Sequence, residues 1–150
     1  MKDPEAWVQN VQRLYRAYDA DAVSDLYTPD CRIFHAGQLF SPEVVHRHPH
    51  EWFGSLRDYQ ITRTFRAAMG DIIVSETRAS YEKVSVDAAA TGDERYAAGE
   101  RYHEYGVDIY WVNAQGRIYH KHNIEVVQPQ SAGPAQEPIH PGLPPDASRA

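Results

Sequence analysis

Arg101 to Pro129, RYHEYGVDIYWVNAQGRIYHKHNIEVVQP, decides how this chain folds. Val, Ile, Tyr and Trp crowd both of its ends, which favours two long strands. Asn113-Ala114-Gln115-Gly116 supplies the turn between them, with Gly116 where a positive φ is often needed. Alternate residues of a strand face opposite sides. One side of the first strand then carries His103, Tyr105, Val107, Ile109 and Trp111; the other carries Glu104, Gly106, Asp108 and Tyr110. On the second strand, Tyr119, Lys121, Asn123, Glu125 and Val127 share one side, and Ile118, His120, His122, Ile124 and Val126 the other. A simple apolar core face would split more cleanly. Carboxylates among large aromatics suit the wall of a cavity.

The residues before this hairpin read as helices and then strands. Asp3-Pro4-Glu5 is a helix start, with an acid at the N-cap, proline in the first turn and a second acid near the positive end of the dipole. Trp7, Val8, Val11, Leu14, Tyr15 and Tyr18 recur at helical spacing, so the spacing predicts a helix to about Tyr18. Asp19 caps a shorter helix through Tyr27, which Thr28-Pro29-Asp30 stops. Cys31 to Ala36 alternates as a short strand. Ser41-Pro42-Glu43 opens a third helix carrying Val44, Val45, Trp52, Phe53 and Leu56, which Pro49 must kink or split because it removes a donor and clashes one turn back. Strands are expected over Asp58–Ala68 and Ile72–Lys83, with Gly70-Asp71 as their turn, and Ser85 to Gly99 reads as a long hairpin loop.

The order is helix, helix, strand, helix, then four strands, which is α+β and not alternating βαβ. The expected architecture is a cone-shaped, curved antiparallel sheet wrapped by three N-terminal helices, with a pocket at its mouth. Residues 1–129 form one domain. From Gln130 to Ala150 the chain is proline-rich, with Ile139 and Leu143 its only sizeable aliphatic residues, so it reads as an extended tail that adds little to folding.

Composition narrows the function. The chain has 150 residues, 42% of them hydrophobic, and a net charge of -6. That suits one soluble domain and argues against a nucleic-acid partner, which needs a cluster of Lys and Arg. No stretch approaches the roughly 20 apolar residues of a membrane helix. The N-terminus lacks the apolar run of a signal peptide, and the one cysteine, Cys31, makes no internal disulfide, so the cytoplasm is the expected compartment.

Three local patterns carry a family likeness. Leu26-Tyr27-Thr28-Pro29-Asp30 before a short strand, Gly70-Asp71-Ile72-Ile73-Val74-Ser75-Glu76, and the ending Glu125-Val126-Val127-Gln128-Pro129 resemble, in order and spacing, the nuclear transport factor 2-like superfamily. That superfamily includes ketosteroid isomerase, scytalone dehydratase, limonene epoxide hydrolase and the SnoaL-like polyketide cyclases. The resemblance implies the cone-shaped fold over Asp3 to Pro129. By spacing, the isomerases' catalytic base falls on His35, their oxyanion-hole aspartic acid on Asp108, and their pocket aromatics on Tyr27, Trp52 and, near the end, Glu125. Their oxyanion-hole tyrosine falls on Val11, which has no hydroxyl, with Tyr15 one turn along. Asn123-Ile124-Glu125-Val126-Val127-Gln128 is similar to the cyclases' last strand, with Glu125 at the catalytic acid. The arginine of limonene epoxide hydrolase falls on Gly106.

Each candidate has a purely structural alternative. His35 is the natural neutral-pH base, or a hydrogen-bonded core histidine. Asp108, in mid-strand among apolar residues, is either protonated, as in the isomerases, or ion-paired with Lys121 or Arg101. Glu125 lines the cavity or pairs with Lys121 at a sheet edge. His46-Arg47-His48-Pro49-His50 lacks the regular spacing and carboxylate partners of a metal site, so a solvated, partly capping segment is expected. His120 and His122 point away from Glu125, which suits an interface. Cys31 reads as inert.

These expectations converge on an acid–base enzyme that uses no metal or other cofactor. It would isomerise, dehydrate or cyclise a small, largely apolar carbocyclic metabolite of polyketide, terpenoid or steroid type. His35, Asp108 and Glu125 are its expected catalytic groups; Tyr15, Tyr27, Trp52, Tyr110 and Asn123 are its expected substrate-binding walls. The rival is a non-catalytic small-molecule-binding or interaction module on the same fold. The outer strand face from His103 to Trp111 is too apolar to stay wet, so a homodimer through that face is expected.

Overall fold

The computed structural model describes residues 3–85 and 96–133. Three helices, α1 (Pro4–Arg16), α2 (Ala20–Ser24) and α3 (Pro42–Gly54), pack on a six-stranded sheet of β1 (Tyr27–His35), β2 (Gln38–Phe40), β3 (Leu56–Met69), β4 (Ile72–Lys83), β5 (Arg101–Val112) and β6 (Ile118–Pro129). The sheet order is β2-β1-β6-β5-β4-β3. This is the expected α+β cone, with one difference: β1 runs parallel to β6, so the sheet is mixed and not wholly antiparallel. The five-residue α2 returns the chain to the middle of the sheet, and a hairpin partner for β1 arrives only with β2. Beneath the helices lies one core, built from Val8, Val23, Val45, Phe53, Tyr59, Tyr81 and Ile118 among others.

α1 begins as expected, with Asp3 accepting from the Ala6 amide at 2.9 Å and Pro4 in the first turn. It ends at Arg16, because Tyr18 turns to φ 54°. The side chains of its last turns then cover the open edge of β3. Tyr18 Oη accepts from the Tyr59 amide (2.7 Å), Arg16 Nε donates to the Ile61 carbonyl (2.8 Å), and Gln12 Oε1 accepts from the Arg63 amide (2.7 Å). An edge strand left open is an aggregation hazard; here a helix seals it.

Other boundaries move, and Leu56, read into the third helix, opens β3 instead. Tyr27 to Asp30 belong to β1, not to α2 and its stop, and a register shift between Tyr27 and Arg32 absorbs Pro29 there. Pro49 does not split α3, which continues through it and buries the ring. After β1, Ala36 and Gly37 both take positive φ, as a two-residue type I′ hairpin requires, and this turn starts the unforeseen β2.

The deciding hairpin forms as read. Asn113 Oδ1 accepts from the amides of Gln115 (3.0 Å) and Arg117 (2.9 Å), and Gly116 takes φ 81°. One detail differs. Val112 pairs with Ile118 but Trp111 with His120, so Tyr119 is an extra residue. That bulge reverses the two residues before it: Ile118 is buried with Lys121 and Asn123, while Tyr119 turns outward to Asp71. The tail from residue 134 onward and loop residues 86–95 lie outside the described residues. No described helix is long and apolar enough to cross a membrane.

Candidate active site

Strand alternation and the parallel β1–β6 pair bring the chemistry together. Ile33 pairs with Lys121 and His35 with Asn123, so His35 stands beside the strand that carries Lys121, Asn123 and Glu125 at every second position. On the next strand, Glu104 and Asp108 share the inward face, and Gly106 sits opposite Glu125. A cavity of about 50 Å³ forms between this wall and α3. Tyr15, Tyr27, Trp52, His35, Asp108, Asn123 and Glu125 all line it, together with Glu104, Lys121, Arg63 and His48. On that measure the space holds roughly four waters, or the polar end of a small ring.

The mouth carries the expected base. His35 Nε2 lies 3.4 Å from Glu125 Oε1, with the two side chains 20% and 3% exposed. Glu125 thus partners His35, and the alternative of a Glu125–Lys121 pair at a sheet edge is absent; β6 is an interior strand. His48 approaches His35 (ring centroids 5.7 Å apart) and stacks on Trp52 at 6.0 Å. The His46–His50 segment is therefore not simply solvated. His46 also ties the elements together, bonding Ser24 Oγ (3.0 Å) and the Thr28 carbonyl (3.1 Å). No cluster of three or more metal-ligating side chains occurs among the described residues.

The deep end is an ionic hub. Asp108 Oδ1 accepts from Lys121 Nζ (2.8 Å) and Asn123 Nδ2 (3.0 Å). Its Oδ2 accepts from Thr77 Oγ1 (2.8 Å) and pairs with Arg63 Nη1. Burial would raise this carboxyl, but the Lys121 and Arg63 charges and the bonds from Lys121 and Thr77 outweigh it and hold Asp108 well below the usual range. Of its two readings, the geometry supports the ion pair, with Lys121 and Arg63 as partners; Arg101 faces Asp58 instead. Two cations around one carboxylate leave this end locally positive.

Tyr110 does not line the cavity. It is buried on the same inward face two residues beyond Asp108, under α1, where its hydroxyl accepts from Arg63 Nη1 at 2.7 Å and its ring meets Trp7 edge-on. Gly106 is bare for a reason. A Cβ there would stand 3.0 Å from the Ile124 carbonyl and 3.2 Å from Glu125 Cβ, so no arginine fits at that position. A buried arginine reaches the hub from β3 as Arg63, and sequence spacing along β5 could not show it.

Glu104 is the other group that sequence reasoning passed over. Burial, then the negative charges of Glu125 and Asp108, push its carboxyl up to about 8. Tyr81 Oη donates to it at 3.2 Å. At neutral pH it keeps its proton. Cys31 is buried, and burial pushes its thiol up to about 12, in keeping with an inert residue.

A small cone with a helix-lidded cavity and a mixed sheet is the frame on which these groups stand, and a family model agrees. The model of the SnoaL-like domain matches residues 8–121. The chain belongs to the SnoaL-like family. Solved structures with the same fold include AclR, a putative hydroxylase from Streptomyces galilaeus, at 12% identity and TM-score 0.66, with 85% of this chain and 90% of that one covered. The epoxide hydrolase/cyclase-like enzyme SalBIII, of pyran ring formation in the polyether salinomycin, is 15% identical, with TM-score 0.65 over 84% of this chain and 95% of its own. IdmH, a putative polyketide cyclase from Streptomyces antibioticus, is also 15% identical, with TM-score 0.61 and coverages of 82% and 91%. At such identities these neighbours share the fold alone. No curated protein matches the chain.

Proposed function

We propose that this SnoaL-like protein is an acid–base enzyme that isomerises, dehydrates or cyclises a small, largely apolar carbocyclic metabolite, without a cofactor. One observation carries the reading. On one wall the environment drives carboxyls apart, holding Glu104 protonated near neutral pH and Asp108 ionised. Groups pushed apart in this way are how a site provides an acid and a base at the same pH.

His35, oriented by Glu125, removes a proton from a carbon next to a substrate carbonyl, and Glu125 stabilises the imidazolium that forms. The electron pair moves onto the carbonyl oxygen, towards the positive hub of Lys121 and Arg63. Asp108 keeps that hub in place and does not itself give up a proton. Glu104 returns a proton, either to the new carbon position or to a departing hydroxyl. Tyr15, Tyr27 and Trp52 enclose the ring. Cyclases and epoxide-opening enzymes among the fold neighbours support small oxygenated rings of the polyketide or terpenoid kind as substrates.

The protein acts as a homodimer in the cytoplasm. Ile124 and Val126 on the outer face are 62% and 54% exposed, on the face that also carries Phe34 and the tilted ring cluster of Trp111, His120 and His122. Light scattering that finds a monomer at high micromolar concentration would remove the dimer. For the chemistry, the test is turnover of cyclic β-hydroxy ketones (loss of water to the enone) and of cyclic β,γ-enones (isomerisation to the α,β-enone) from pH 5 to 10. A rate that falls on both sides of a plateau is expected; a rate of zero for every substrate would leave a binding module.

A further inference from the structure

The hub leaves two atoms unused. Arg63 Nη1 is engaged by Asp108, Thr77 and Tyr110. Asp108 also dictates how the Asn123 amide lies: a carboxylate can only accept, so the NH₂ turns to it and Oδ1 is driven away. Arg63 Nε and Asn123 Oδ1 are buried and have no hydrogen-bond partner. Both residues are more than nine-tenths buried and both line the cavity. Native proteins seldom leave such atoms unpaired, and a polar group that a ligand completes is one reason to do so.

The two atoms are opposite in kind. Nε only donates and Oδ1 only accepts. Arg63 reaches Asp108 from β3 at one end of the sheet, and Asn123 reaches it from β6 on the other side, through the other carboxylate oxygen. The carboxylate therefore stands between the two atoms, and one ligand oxygen cannot serve both. A ligand carboxylate would satisfy Nε but face Oδ1 and Asp108 with like charge. An amine would face Arg63 and Lys121.

We propose that Arg63 Nε and Asn123 Oδ1 clamp a neutral hydroxy ketone, its carbonyl oxygen accepting from Arg63 and its hydroxyl donating to Asn123. This rests on the cavity being the substrate site and names what that site selects. The oxygenated edge of the ring goes to the deep end, and the carbon beside the carbonyl is turned towards His35. Asn123 is a specificity residue in this arrangement, and Asp108 is a positioning residue that holds both jaws.

Binding to the full chain can be followed by NMR titration of backbone amides. The probes are 3- and 4-hydroxycyclohexanone, cyclohexanone and cyclohexanol. At least one hydroxy ketone should bind about tenfold more tightly than either single-function probe. In Asn123→Leu the advantage of the hydroxy ketone over cyclohexanone should vanish. The inference is overturned if wild type ranks cyclohexanone with the hydroxy ketones, if no probe saturates, or if Asn123→Leu keeps the preference. Should Asn123→Leu not fold, the wild-type ranking decides alone. Selective binding without any turnover would spare this inference and remove the catalytic one; turnover that ignores the hydroxyl would do the reverse.

Discussion

Glu104 and Asp108 sit four residues apart on the inward face of one strand, at two ends of one cavity wall. The deep end surrounds its carboxylate with Lys121, Arg63, Thr77 and Asn123, four donors of which two are charged. The other end gives Glu104 a single phenol donor, Tyr81, and the nearby negative charge of Glu125. Burial alone would raise both carboxyls. What separates them is whether a cation comes with the burial. A buried carboxylate is thus an anchor at one end of this wall and a proton reserve at the other, and its identity as Asp or Glu does not say which.

The contrast can be broken most severely at the hub. Asp108→Asn strands Lys121 and Arg63 as buried charges, so it should destabilise the fold by about 3–5 kcal/mol. A urea titration would show the midpoint fall. A midpoint within error of wild type would mean that the ion pairs hold nothing together.

At the mouth, His35→Ala should lower turnover by about 10²–10⁴-fold with little change in stability. Glu125→Gln should fall in the same direction, and His35→Asp should recover part of the loss, since a carboxylate is also a base. Unchanged rates in all three variants would displace the base from this pair.

Glu104 sharpens the comparison through pH. As a proton donor it must be protonated, so the rate should fall as pH rises through about 8. Glu104→Gln should lower turnover at pH 7 and abolish that alkaline limb. A limb that persists in Glu104→Gln belongs to another group.

A last effect is on stability against pH, and its sign differs between the two carboxyls. Glu104 has a folded pKa of about 8, raised above its unfolded value, so the folded state binds the extra proton. Stability from this group is complete below the unfolded pKa and declines as pH rises towards 8. Asp108 is depressed, so its contribution is present above the ordinary aspartate range and is lost as pH falls below it. Melting of wild type and Glu104→Gln from pH 5 to 9 should show a shallower decline in the variant. Parallel curves would mean that Glu104 titrates normally.

Local chemistry made much of this protein legible in advance. Pro4 after Asp3, Gly70-Asp71 and Asn113 with Gly116 each fix an element end through a cap or a turn, and Pro42 opens α3 although the Ser41 hydroxyl turns to Glu43 instead of capping it. Strand alternation then put Glu104, Asp108 and Glu125 on the inward side, because the side-chain period of two needs no tertiary information. Where local preference met a register choice, sequence fell short. Tyr27 to Asp30 carry a proline yet extend as strand: Tyr27 pairs with Ile118 of β6, and the register shift before Arg32 takes in Pro29; the bulge at Tyr119 reverses the side of Ile118 without any glycine to announce it.

The site divides along the same line. Alternation along the last hairpin, together with the resemblance to the isomerases and cyclases, pointed His35, Asp108, Glu125, Asn123, Tyr15, Tyr27 and Trp52 towards one cavity, which they line. Only the tertiary structure decided their charge states and partners. Arg63 comes from an edge strand far away in sequence, whose backbone Gln12 and Arg16 cover; Tyr110 lies under α1 beside Trp7 and bonds that same arginine instead of lining the cavity. A carboxyl's pKa is set by what burial removes and which charges remain within a few ångströms, and those distances exist only once the chain has folded.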